Sequence, residues 1–174
     1  LDADPVRQGR GRRAQLAHRQ PDRAALSRRG LLPANRLDRR VHGDGKARIG
    51  IVSAGKSWLD TAHALELLGL DDAECRRLGI ATYKVGMVWP LDMESFREWA
   101  HDLDHVIVVE EKRKLIEVQI KEAMFDDRRG RRVTGWKDEQ GKVIFSVKQA
   151  LDPVKVARTL GDLLADDGVE TETL

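Results

Sequence analysis

Short runs of apolar and β-branched residues alternate with amphipathic segments along most of this chain, and this alternation most narrows the folds open to it. Three such runs are RIGIVSAG (48–55), IATYKVGMVW (80–89) and HVIVVEE (105–111). The first is apolar and ends in glycine, which is typical of a strand buried on both faces. Each run is followed by apolar residues at helical spacing. The order strand, helix, strand, helix predicts an α/β fold with a largely parallel sheet covered on both faces.

Capping residues and glycines predict where the helices begin and end. Ser57 and Asp60 form a capping-box pair at the start of the first helix, which Gly69 ends. Asp71 begins a shorter helix that Gly79 closes. Three further helices are predicted to follow Asp92, the run 105–111 and the pair Asp152-Pro153.

The sequence also predicts a fourth strand in RRVTGWK (131–137) and a short fifth strand in KVIFSV (142–147). Before the first apolar run, no period is sustained and prolines are scattered, which predicts mostly irregular structure with room for one short helix. The resulting division is a basic N-terminal extension (1–46), an α/β domain (47–167) and a polar tail (168–174).

Charge is unevenly distributed between the extension and the rest of the chain. Residues 1–46 hold 12 Lys or Arg against five Asp, whereas the remainder holds 19 against 24 acidic residues. A basic extension can bind nucleic acid or an anionic membrane. No aromatic residue occurs before Trp58, however, and no recognition helix or stacking platform is evident. A solvated tail or linker is therefore favoured over nucleic-acid binding.

Composition excludes several classes of protein. No apolar run approaches the roughly 20 residues that cross a bilayer, so no membrane-spanning segment is expected. The sequence lacks the apolar stretch of a secretory signal, and the single cysteine, Cys75, cannot form an internal disulfide, which predicts a reducing, cytoplasmic setting. One cysteine is also too few for an iron–sulfur cluster or a zinc site built from cysteine pairs.

One motif suggests nucleotide binding. GIVSAGKS (50–57) matches the pattern G-x-x-x-x-G-K-[ST], in which backbone amides, a lysine and a hydroxyl hold a nucleotide and its magnesium. Such a loop must follow a strand, yet the preceding HGDGKARI lacks an apolar run. If 50–53 are strand residues, their amides are engaged in the sheet and cannot surround a phosphate. The alternative hypothesis is a nucleotide-binding module that uses Gly55, Lys56 and Ser57.

Two other features near the ends of predicted strands are candidates for a binding or catalytic site. Gly55 and Lys56 lie between a predicted strand and a helix, where anions can dock, although a tight turn with a surface lysine is favoured. Glu110 and Glu111 face opposite sides of the third strand and are not expected to act as an acid–base pair. One of them is expected to cap a helix or to meet a neighbouring domain. No catalytic or metal-binding set is predicted.

Taken together, three segments resemble one region of the indolepyruvate ferredoxin oxidoreductases, members of the thiamine-diphosphate-dependent 2-oxoacid ferredoxin oxidoreductase family. They are GIVSAGKSWLDTAHALELLGLD (50–71), YKVGMVWPLD (83–92) and HVIVVEEKRKLIE (105–117). The similarity covers about residues 33–165. More distantly, a strand ending in P-L-D followed by a V-V-E-E strand resembles the C-terminal domain of transketolase.

The resemblance implies a three-layer α/β/α fold with a mixed, mainly parallel sheet. It also implies that the whole enzyme oxidatively decarboxylates 2-oxoacids to acyl-coenzyme A with reduction of ferredoxin. The resemblance implies that the whole enzyme binds thiamine diphosphate, magnesium and an iron–sulfur cluster, and that other domains hold them. It also implies that the whole enzyme is a homo-oligomer. This segment is expected to be a structural and assembly domain without catalytic, cofactor-binding or metal-binding residues.

Within such a domain, the residues near the carboxyl ends of the predicted strands are expected to contact adjoining domains. The candidates for these contacts, or for the weaker anion site, are Gly55, Lys56, Trp89, Glu111 and Lys112.

Overall fold

A computed structural model describes residues 37–170, apart from 44, 127, 128, 147 and 149. The strands in this part are β1 (Arg39–Arg40), β2 (Ile49–Ala54), β3 (Ile80–Val85), β4 (His105–Val109) and β5 (Arg132–Thr134). The helices are α1 (Gly55–Leu67), α2 (Asp72–Leu78), α3 (Met93–Trp99), α4 (Leu115–Ala123) and α5 (Pro153–Asp166). The predictions for residues 1–36 and for the end of the tail lie outside the described residues.

The strands form one sheet in the order β1-β3-β2-β4-β5. The central strand β2 is parallel to β3 on one side and to β4 on the other, and β5 is parallel to β4. The edge strand β1 is antiparallel to β3. The prediction of a mixed, mainly parallel sheet is therefore confirmed.

Helices cover both faces of the sheet and create two cores. Successive β2 residues alternate between them: Ile51 lies in the first core and Val52 in the second. The first core includes residues of α1, α2 and α5, and the second includes residues of α3 and α4. The result is the expected three-layer α/β/α arrangement. Within the described ranges, no helix is both long and apolar enough to span a membrane.

Three helices begin where aspartates predicted them. The carboxylates of Asp71, Asp92 and Asp152 accept backbone N–H groups in the first turns of α2, α3 and α5. The capping-box prediction for α1 is wrong. This helix starts at Gly55, whose φ of +52° turns the chain directly out of β2, and no side chain caps it.

The predicted fifth strand is also wrong. In the described part of 142–147, Val143 forms a single isolated bridge with Lys137, and Phe145 is buried in the first core instead of pairing in the sheet. The remaining strand of the sheet is β1, which lies inside the predicted irregular extension. Its two arginines pair with Lys84 and Tyr83 at an exposed edge of the sheet. Edge strands are often short and charged, so β1 has no apolar run from which the sequence could predict it.

Candidate functional site at the carboxyl edge of the sheet

The carboxyl ends of β2, β3 and β4 lie at one edge of the sheet because these strands are parallel. We call this the carboxyl edge. All five candidate residues follow these strand ends: Gly55 and Lys56 after β2, Trp89 after β3, and Glu111 and Lys112 after β4.

The first half of the phosphate-loop pattern is strand β2. Gly50 and Ser53 each pair with both β3 and β4, so the backbone here is engaged on both sides. Gly50 is required by packing instead, since a Cβ atom at this position would lie 2.4 Å from Leu103 Cδ1 and 2.6 Å from Trp99 Cη2. The first half of the pattern therefore does not form a phosphate-binding loop, and nucleotide binding by Gly55, Lys56 and Ser57 stays a hypothesis.

Oxygen atoms from three segments hold the ammonium group of Lys56. The Lys56 Nζ atom lies 2.5 Å from Asp60 Oδ2 and 3.7 Å from Glu111 Oε2, and it donates to the Leu151 carbonyl at 3.1 Å. The hydrogen bond to Asp60 is the main reason that the pKa of Lys56 is raised. Because two carboxylates already balance its charge, Lys56 is poorly placed to hold a further anion.

Glu111 joins the end of β4 to the segment that leads into α5. Its Oε2 atom accepts the Leu151 N–H at 3.0 Å, and this bond, followed by the charges of Lys56 and Lys112, lowers the pKa of Glu111. We call Lys56, Asp60, Glu111 and Leu151 the edge cluster. It ties α1, the end of β4 and the start of α5 together, while Lys112 lies at its margin with Nζ 3.8 Å from Glu111 Oε1.

Glu110 points the other way and caps α4. Its two carboxylate oxygens accept the N–H groups of Ile116 at 2.8 Å and Glu117 at 3.0 Å. Burial raises the pKa of Glu110, and these hydrogen bonds oppose that shift. The expectation that one glutamate of the pair caps a helix is confirmed.

Trp89 lies on the other face of the sheet from the edge cluster. Its side chain is 54% exposed in a loop that Gln119 of α4 fixes by accepting the Leu91 N–H and donating to the Val88 carbonyl. The structure thus brings Lys56, Glu111 and Lys112 together, whereas Trp89 stands beside α4.

A second aromatic residue at this edge, Trp136, is not among the five candidates. Trp136 follows β5, and the ammonium groups of Lys114 and Lys137 lie 4.3 and 4.4 Å from the centroid of its ring. Both distances are typical of cation–π contacts. The run Lys112 to Lys114 was visible in the sequence, but its proximity to Trp136 depends on the neighbouring positions of β4 and β5.

The sequence reading also missed a buried network at the opposite edge. His105 Nδ1 lies 2.6 Å from Asp167 Oδ2, its Nε2 lies 2.9 Å from Thr134 Oγ1, and Arg132 pairs with Asp167. Burial, followed by the charge of Arg132, lowers the pKa of His105 to about 4. The neutral ring fits these partners by donating from Nδ1 and accepting at Nε2. Asp167 lies 62 residues away in sequence, so no local pattern links the two residues.

No group of three or more His, Cys, Asp or Glu side chains within the described ranges is arranged to hold a metal ion. Cys75 is fully buried, and burial raises the pKa of its thiol to about 12. Cys75 is therefore a packing residue of the first core.

The chain is similar in sequence to known oxidoreductases. Indolepyruvate oxidoreductase subunit IorA of Pyrococcus horikoshii is 28% identical over 87 residues, which cover 50% of this chain and 12% of the relative. The corresponding subunit of Pyrococcus abyssi is also 28% identical, over 86 residues, covering 49% of this chain and 12% of the relative. The matched segment thus corresponds to about an eighth of the length of these relatives.

Two solved structures align with part of this chain. A split-gene transketolase, described as an inactive β4 tetramer, aligns with a TM-score of 0.46 and 21% identity, covering 70% of this chain and 39% of that one. A 2-oxoglutarate:ferredoxin oxidoreductase from Magnetococcus marinus aligns with a TM-score of 0.49 and 13% identity, covering 73% of this chain and 19% of that one.

A family model for the indolepyruvate oxidoreductase domain matches residues 39–174, from β1 through α5 and beyond. This match includes all five strands and all five helices of the described structure. The chain therefore belongs to the indolepyruvate oxidoreductase domain family.

Proposed function

We propose that this chain is a structural and assembly domain of a larger indolepyruvate-type ferredoxin oxidoreductase, and that it carries no catalytic, cofactor-binding or metal-binding residues. The observation that carries the proposal is the family match over 39–174. The edge cluster supports it, because these charged side chains bind one another and join elements of the domain.

The whole enzyme would oxidatively decarboxylate aryl 2-oxoacids such as indolepyruvate to acyl-coenzyme A and transfer the electrons to ferredoxin. Thiamine diphosphate, magnesium and an iron–sulfur cluster would be held by other domains. We place the enzyme in the cytoplasm as a homo-oligomer. These proposals rest on the family and on its relatives, since the matched segment spans 12% of their length.

We propose that the basic extension ends at about residue 38 rather than 46, because β1 already pairs with β3. We propose that residues 168–174 form the polar tail.

We propose that Trp89 and Lys112 contact adjoining domains on the two sides of the carboxyl edge. Trp89 presents a large exposed ring in a loop held by hydrogen bonds, and the Lys112 side chain is 76% exposed. Gly55, Lys56 and Glu111 would shape the edge that those domains meet, through the turn into α1 and through the edge cluster.

The test uses the full-length enzyme with Trp89→Ala and Lys112→Ala, measuring assembly by light scattering and thiamine-dependent oxidation of indolepyruvate. We expect a lower assembled fraction and a several-fold lower activity, while the free energy of unfolding of this domain stays unchanged. Leu67→Ala is the matched control, because Leu67 is 43% exposed at the end of α1, and it is the start of this helix that lies at the carboxyl edge. Assembly and activity that stay at the unsubstituted level in both edge variants would contradict the proposal.

A further inference from the structure

Trp136 and the two lysines over its ring have no role so far. Lys114 and Lys137 place their ammonium groups over this ring, and Lys112 and Arg113 precede Lys114 at the end of β4. We call Arg113, Lys114 and Lys137 the basic patch.

Charge in the basic patch is poorly compensated within the described residues. No ion pair within the described residues involves Arg113, Lys114 or Lys137. The neighbouring Lys112 has a long ion pair, with Nζ 3.8 Å from Glu111 Oε1, and that carboxylate already accepts a hydrogen bond in the edge cluster. Glu117 Oε2 accepts the backbone N–H of Trp136 at 2.9 Å, but Lys121 Nζ, 2.6 Å from Glu117 Oε1, balances its charge. A concentration of like charge is unfavourable unless a partner of opposite charge offsets it.

The Trp136 ring also restricts the two lysines. A lysine side chain loses rotamer entropy when it is fixed. Contact with the indole face holds Lys114 and Lys137 near one position before any partner binds. Preorganisation of this kind lowers the entropic cost of association.

The surroundings favour carboxylates over a phosphate group as the ligand. Phosphates bound at helix starts use the free backbone N–H groups of the first turn. At α4 the Glu110 carboxylate already accepts two of these, from Ile116 and Glu117. What remains is a set of side-chain ammonium and guanidinium groups on the surface, which suits the spaced carboxylates of a protein.

We propose that the basic patch binds a partner protein through a segment of clustered Asp or Glu side chains. Charge complementarity steers such an encounter and makes it sensitive to salt. Trp136 acts as a positioning residue for Lys114 and Lys137.

The experiment measures binding of a fluorescent deca-glutamate peptide to this chain by anisotropy at low and physiological salt. We expect saturable binding that weakens with salt, and a loss of about tenfold or more in Lys114→Ala/Lys137→Ala. Trp136→Leu keeps both cations but removes the ring, so we expect an intermediate loss. The matched control is Lys155→Ala/Arg158→Ala, which removes the same charge from two exposed sites on α5 and is expected to change the affinity less than twofold.

Three outcomes would overturn the inference. One is equal weakening in the control variant, which indicates nonspecific attraction. Another is peptide binding that Lys114→Ala/Lys137→Ala leaves unchanged. The third is binding of inorganic pyrophosphate, but not of the peptide, at these lysines. The variants of this experiment leave Trp89 and Lys112 unchanged, so the proposed function is tested separately.

Discussion

Gly50 illustrates how a residue can satisfy a binding motif for an unrelated reason. It occupies the first position of the phosphate-loop pattern, yet its lack of a side chain serves contact with Trp99 and Leu103 in the second core. The sequence alone exposed the conflict, because the apolar strand overlaps the motif. It did not identify the two residues that Gly50 contacts, since these lie about 50 positions further along the chain.

We expect Gly50→Ala to lower the free energy of unfolding by about 1–3 kcal/mol, because the added methyl group overlaps the Trp99 and Leu103 side chains. Urea titration followed by circular dichroism measures this change. Calorimetry with Mg-ATP is expected to give no binding heat for the unsubstituted chain. Micromolar Mg-ATP binding that Lys56→Ala abolishes would contradict the packing explanation.

The lowered pKa of His105 predicts how the free energy of unfolding depends on pH. Its pKa is lowered to about 4 in the folded chain, whereas an unfolded histidine titrates near 6.5. Between these values the unfolded chain binds the extra proton, so stability is fully present above about 6.5 and is lost as the pH falls towards 4. One such group contributes a slope of at most about 1.4 kcal/mol per pH unit.

The measurement is the free energy of unfolding at several pH values between 4 and 7, for the unsubstituted chain and for His105→Gln. Glutamine can still donate and accept hydrogen bonds but does not titrate, so a shallower slope is expected. His63→Gln, an exposed substitution on α1, is the control and should keep the original slope. Parallel slopes in all three proteins would rule out His105 as the source.

At the scale of elements, the sequence predicts those strands and helices that depend on local residue patterns. The runs that became β2, β3 and β4 are apolar because both faces of the sheet are covered, and the aspartates that begin α2, α3 and α5 act within one turn. Elements fixed by distant contacts were not predictable. β1 forms because it lies along β3, and Phe145 leaves the predicted fifth strand because the first core accepts it.

The same division holds for the candidate site. The five candidate residues were found from strand ends, which meet at one edge of a parallel sheet. The oxygen atoms that bind Lys56 belong to residues as far away as Leu151, and Trp136 approaches Lys114 only because β5 adjoins β4. Local patterns therefore located the edge, and tertiary contacts determine which of its charges are compensated.

The start of α4 depends on Glu110, and this dependence is testable. Glu110→Ala removes the acceptor for two N–H groups at that helix end, so we expect a loss of about 1 kcal/mol in unfolding free energy. Glu110→Gln keeps one carbonyl acceptor and should lose less. Hydrogen exchange at the Ile116 and Glu117 amides is expected to accelerate in the alanine variant. Unchanged exchange at both amides would show that Glu110 does not cap the helix.

At the scale of the whole molecule, the two cores share one sheet and are expected to unfold together. β2 contributes alternate side chains to both, so loss of either core exposes the other side of the same strand. Cys75 offers a way to measure this coupling, because it is the single cysteine of the chain and lies fully buried in the first core. Gly50, by contrast, packs against residues of the second core.

We expect Gly50→Ala to accelerate reaction of Cys75 with a thiol reagent by the factor that corresponds to its loss of unfolding free energy, about tenfold for each 1.4 kcal/mol. The thiol reacts only after the core opens, since burial both shields it and raises its pKa to about 12. A perturbation in the second core therefore reaches Cys75 only if both cores open in one cooperative step. Labelling is measured at neutral pH without denaturant, beside urea titrations of the same proteins. A labelling rate unaffected by Gly50→Ala, despite a lower unfolding free energy, would mean that α2 and the first core open independently of the rest of the sheet.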